Sequence, residues 1–111
     1  MFYVYTRENY PVFEPAEGGY YVSASEITYC KEYSHLNNAL DAMHKAVEDA
    51  QAEGCTLCGV SWDYGFETDK YGDITLHMPI ASFDESGYIG DGFVIGISVE
   101  KPEDRPYQGY C

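Results

Sequence analysis

His35-Leu36-Asn37-Asn38-Ala39-Leu40-Asp41-Ala42-Met43-His44-Lys45-Ala46-Val47-Glu48-Asp49-Ala50-Gln51-Ala52-Glu53 is the one long stretch of this 111-residue chain with helical periodicity. Leu36, Leu40, Met43, Val47 and Ala50 recur at the spacing that puts side chains on one helix face, with Ala39 and Ala46 alongside. Asp41, Lys45, Glu48 and Gln51 take the opposite, solvated face. Ser34 is placed to cap the start, because its hydroxyl can accept from an otherwise unpaired N–H of the first turn. Gly54 suits the left-handed position that ends a helix.

Outside this helix the apolar period drops to two. Upstream, Phe2 to Thr6 reads as a strand, and Tyr10 to Gly19, with two prolines and a glycine pair, reads as a loop. Tyr20 to Ser23 and Ile27 to Tyr33 fit one bent strand or a hairpin. Downstream, Cys58, Val60, Trp62 and Tyr64 fall on one side of a strand. Ile74, Leu76 and Met78 share one side of the next, and Phe93, Ile95, Ile97 and Val99 one side of a third. Glu67 to Gly72 and Asp84 to Gly92 read as acidic, glycine-containing turns. The prediction is a single α+β domain over residues 1–111. It has a mostly antiparallel sheet of four to five strands and one amphipathic helix packed on a face, in the order β-β-α-β-β-β. Residues 101–111, with Pro102 and Pro106, read as a loose tail.

Nineteen acids against six bases give a formal net charge of −13. An apolar content of 45% is enough for a packed core, so this is not the acidity of a disordered segment. Such a charge repels bare nucleic acid and anionic membranes, both of which are bound through Lys and Arg. It favours a basic protein partner instead. Met1 to Glu8 shows no basic segment followed by an apolar one, and no apolar run approaches a membrane span. The expected location is therefore cytoplasmic, with Cys30, Cys55, Cys58 and Cys111 as reduced thiols. Two disulfides would follow only for a secreted chain that had lost its leader.

Residues 55–111 hold ten of the acids and three of the bases. The concentration lies in Asp63, Glu67, Asp69, Asp73, Asp84, Glu85 and Asp91. If their turns cluster at one end of the sheet, they form a negative ridge able to occupy a groove meant for phosphates. The simpler account is that acids sit in turns for solubility. Twelve tyrosines add a second signal, since a tyrosine joins a large apolar body to a polar tip and is frequent at interface hot spots. Tyr3, Tyr5, Tyr20, Tyr21, Tyr29, Tyr33 and Tyr64 fall in or beside strands and read as structural. Tyr71, Tyr88, Tyr107 and Tyr110 fall in turns or the tail and are the contact candidates, suited to an arginine-rich partner. In size and charge the chain is similar to small acidic phage inhibitors of nucleic-acid enzymes, among them anti-CRISPR and anti-restriction proteins. That likeness is one of composition, and no motif carries it.

Cys55-Thr56-Leu57-Cys58-Gly59 has the spacing of half a zinc knuckle, but a structural site needs four ligands and no second pair exists. Cys30, Cys111, His35, His44 and His77 are scattered, and spacing selects none of them. A redox pair should open a helix, whereas this one follows one. Two small residues starting a strand, with Cys58 toward the core, is the preferred reading. His44 and His77 read as boundary or surface residues. No nucleophile elbow, zinc-protease helix or phosphate-binding loop occurs, and the acids do not match a calcium loop. No cofactor and no catalytic residue is expected. The sequence points to a binding protein rather than an enzyme: an acidic protein-binding module, acting as a nucleic-acid mimic on a basic groove. The alternatives are a structural or regulatory accessory domain with incidental acidity, and a zinc-binding protein built on Cys55 and Cys58. Partner-contact candidates are Asp63, Glu67, Asp69, Tyr71, Asp73, Asp84, Glu85, Tyr88 and Asp91.

Overall fold

The amphipathic stretch forms helix α1, Leu36–Ala52, which buries Ala39, Met43, Val47 and Ala50. The capping position falls on His35 rather than Ser34. His35 has the extended backbone of that position (φ −124°, ψ 138°), and no side chain caps the first turn. At the other end Gly54 takes φ +95°. Its N–H donates to the Gln51 carbonyl, and the Cys55 N–H to the Ala50 carbonyl, each at 3.1 Å. This pair of reversed bonds satisfies carbonyls that the helix leaves open.

The computed structural model describes residues 1–14, 20–84 and 92–104, the side chains of 10–14 and 20–23 excepted. The described residues form seven strands besides the helix: β1 Phe2–Glu14, β2 Tyr20–Tyr33, β3 Thr56–Ser61, β4 Gly65–Thr68, β5 Ile74–His77, β6 Ile80–Asp84 and β7 Gly92–Ser98. Five form an antiparallel sheet in the order β2-β1-β7-β6-β3, and β4 and β5 form a separate two-stranded ribbon. The α+β class and the single helix on one sheet agree with the sequence, which missed β4 and β6. Tyr10 to Glu14 is strand, not loop. Among the described residues, β1 beyond Asn9 pairs only with β2, and a strand paired on one side tolerates Pro11. β2 is one strand with a bulge. Thr6 faces Tyr29 while Arg7 faces Ile27, leaving Thr28 as the extra residue.

The core lies between α1 and one face of the sheet. Val4, Met43, Ala81, Ile95 and Ile97 are buried there, with Phe83 and Phe93 stacked at 4.8 Å between ring centroids. Burying each large side chain is worth about 1.5–3 kcal/mol. On β3, Leu57 faces Phe83 and Gly59 faces Ser82, so Cys58 is the extra residue of a second bulge. That bulge reverses the expected phase: Leu57 packs on the core and Cys58 is exposed. The described part of the tail, residues 101–104, has no regular secondary structure and makes one bond to the sheet. Asp104 accepts a hydrogen bond of 2.7 Å from the Ile27 N–H, next to the β2 bulge. Residues 105–111 lie outside the described residues. No described helix is long and apolar enough to cross a membrane.

Candidate functional site

The β4–β5 ribbon leaves the sheet where β3 ends at Ser61 and returns where β6 begins at Ile80. Phe66 faces Leu76, and Thr68 faces Ile74, so these four residues share one side of the ribbon. The other side carries Gly65, Glu67, Thr75 and His77. Ile74 is 69% exposed, whereas Leu76 on the same side is half-buried. Among the described residues β4 and β5 pair only with each other, apart from the sheet that α1 covers. Phe66 is 76% exposed and Tyr71, at the turn, 78%. The ribbon therefore presents a large aromatic, a branched aliphatic and a tyrosine to solvent in one small region.

Local chemistry holds this shape. One Asp69 carboxylate oxygen accepts from the Tyr71 N–H at 2.8 Å and from the Asp73 N–H at 3.0 Å. Gly72 closes the turn at φ +84°. An aspartate bonded to its own following backbone is a turn former, so Asp69 is structural before it is anything else. Glu67 meets the His77 Nε2 at 2.6 Å, with both side chains largely in solvent. His77 is thus the partner of an acid rather than an idle surface residue. At the root, Tyr64 packs edge-on to Phe2 with centroids 6.3 Å apart, and Trp62 stacks on His44 at 3.8 Å. Lys70 lies over the Tyr71 ring at 5.1 Å. Asp63, Tyr64, Phe66, Glu67 and His77 border an open hollow of about 400 Å³.

The structure gathers Asp63, Glu67, Asp69, Tyr71 and Asp73 on this ribbon and its approach, and separates them from Asp84. Asp84 faces Thr56, at the end of β6 and β3 opposite to the ribbon root. Glu85, Tyr88 and Asp91 lie outside the described residues, on the connection that begins at Asp84. The described acids therefore do not make one continuous ridge. Among the described residues, no group of three or more His, Cys, Asp or Glu side chains could hold a metal. Cys30 and Cys58 are exposed free thiols, and Cys55 is a half-buried one.

Sequence reasoning missed a second feature. Tyr29, read as structural, is half-exposed and borders a groove between α1 and the β2 side of the sheet. Glu8 and Glu53 lie on the same groove. Register brings them together from segments 45 residues apart, and no local pattern announces it. Comparison with protein-family models, curated proteins and solved structures finds no significant match to this chain.

Proposed function

We propose that this chain is an acidic protein-binding module that docks its β4–β5 ribbon on a positively charged partner surface, of the kind that holds nucleic acid, and blocks it by occupancy. The observation that carries the reading is the exposure of Phe66, Tyr71 and Ile74 among the carboxylates Asp63, Glu67 and Asp73. Aromatic and aliphatic anchors supply the affinity of a protein interface, while rim charges steer encounter and choose the partner. A pure solubility surface has no need of the anchors. The expected partner site is an apolar pocket flanked by Lys and Arg.

A second reading has one observation in its favour. Acids also cover the solvent face of α1, the far end of the sheet and residues 100–104, as they would in an accessory domain whose acidity is incidental. Retention from a nucleic-acid-depleted lysate separates the two. Wild-type protein is run beside a Phe66→Ser/Ile74→Ser double variant at low and high salt. A basic protein held by the wild type at low salt, released by salt and not held by the variant supports docking through the ribbon. Equal retention by both proteins, or none by either, favours incidental acidity.

A further inference from the structure

The groove between α1 and the β2 side of the sheet encloses about 520 Å³, within the range of small-molecule sites. We infer that it binds an organic cation carried on an aromatic or aliphatic body. Buried Phe93 and Ile95 form the floor. Ala42, Ala46 and Ala50, one turn apart on α1, form one wall and leave a width that larger side chains would fill. Tyr29 and Tyr33 form the facing wall from β2. Burial, and then the neighbouring Tyr33, raise the pKa of the Tyr29 hydroxyl, which stays neutral near pH 7. An apolar floor with two tyrosine walls suits a flat or chain-like body, and tyrosine faces also attract cations.

The charge gathers at one end. Glu8 lies in register between Glu26 on β2 and Phe93 on β7. Asp49 and Glu53 come from the C-terminal end of α1, whose last turn has no basic residue. Both placements work against the fold. Like charges directly opposite on neighbouring strands repel, and acids beside a helix C-terminus oppose its dipole. Departures of this sort mark functional sites, where binding a ligand rather than stability sets the residue. Two bases are near. Lys45 itself lines the groove and reaches Asp49 at 3.9 Å, which leaves Glu8 and Glu53 as the acids to be matched, and Lys31 lies 5.4 Å over the Tyr33 ring. Among the described residues no base forms an ion pair with Glu8 or Glu53. Charge complementarity therefore seats the cation between Glu8 and Glu53, with its body along Ala46 and Ile95.

The test is titration of phenethylamine into the isotope-labelled full chain, followed by amide chemical shifts, with 2-phenylethanol as the uncharged arm. The amine should bind about tenfold more tightly than the alcohol, a difference of one unit in log Kd. Its shifts should centre on Thr6, Tyr29, Ala46 and Ile95. Glu8→Gln and Glu53→Gln should each weaken the amine several-fold while leaving Tm equal to or above that of the wild type. That pairing of lost binding with kept stability is one a merely structural role would not produce. Ala46→Leu should block both ligands. Equal binding of amine and alcohol, shifts centred on the ribbon, or unchanged affinity in both glutamine variants would overturn the site. Failure of the groove leaves the ribbon proposal standing, because none of the ribbon residues borders the groove.

Discussion

The ribbon and the body of this protein use the same alternation of apolar and polar residues and end in opposite environments. On β7, Phe93, Ile95 and Ile97 alternate into a core roofed by α1. On β4 and β5, Phe66 and Ile74 alternate onto a face that leaves both of them exposed. A 17-residue helix spans about 25 Å, and its stripe is spent on the five-stranded sheet. Alternation selects which face is apolar, and the cover decides whether that face becomes a core or an interface. An isolated two-stranded ribbon is marginal in water, so this one depends on the Asp69 turn and its aromatic root.

The largest contrast is between Met43, fully buried, and Phe66. Met43→Ala should cost about 2–5 kcal/mol in urea unfolding, and Phe66→Ala should stay within about 0.5 kcal/mol. Similar costs at both positions would make the ribbon part of the core. Gly92→Ala comes next, at about 1–3 kcal/mol by the same measurement. The glycine sits at φ +139°, and a Cβ there would lie 2.5 Å from the Phe83 carbonyl oxygen. Asp69→Ala should act locally. Amide exchange at Tyr71 and Asp73 should rise about tenfold while global stability changes by less than about 1 kcal/mol.

The smallest effect concerns the groove wall. The folded state raises the pKa of Tyr29, so it favours the neutral phenol. This contribution is complete below the ordinary tyrosine pKa and is lost as pH rises through the folded-state value. Tyr29→Phe should therefore show a flatter fall in stability than the wild type above about pH 10, read as Tm against pH. An identical fall in the two proteins would remove Tyr29 from this role.

The helix was legible because its stripe, its solvated face and Gly54 all agree. Its start was not, since Ser34 has the right chemistry but His35 holds the capping backbone. Strand phase was lost wherever a bulge intervened: counting by twos through Cys58 puts it inside, whereas the bulge turns Leu57 inward. β4 and β6, at four and five residues, are too short to show a period of their own. The acids of the ribbon could be found from charge alone. The exposure of Phe66 and Ile74 could not, because an apolar residue in a strand pattern is read as inward until the cover is known. The Glu8–Glu53 pair was invisible, since only strand register and helix placement bring it together.

Amide hydrogen exchange of the free chain against its complex with the basic partner retained from lysate tests the proposed ribbon surface most directly. Protection on binding should fall on residues 63–77 and vanish with Phe66→Ser/Ile74→Ser, at unchanged Tm. Protection elsewhere, or binding that survives the double variant, would contradict it.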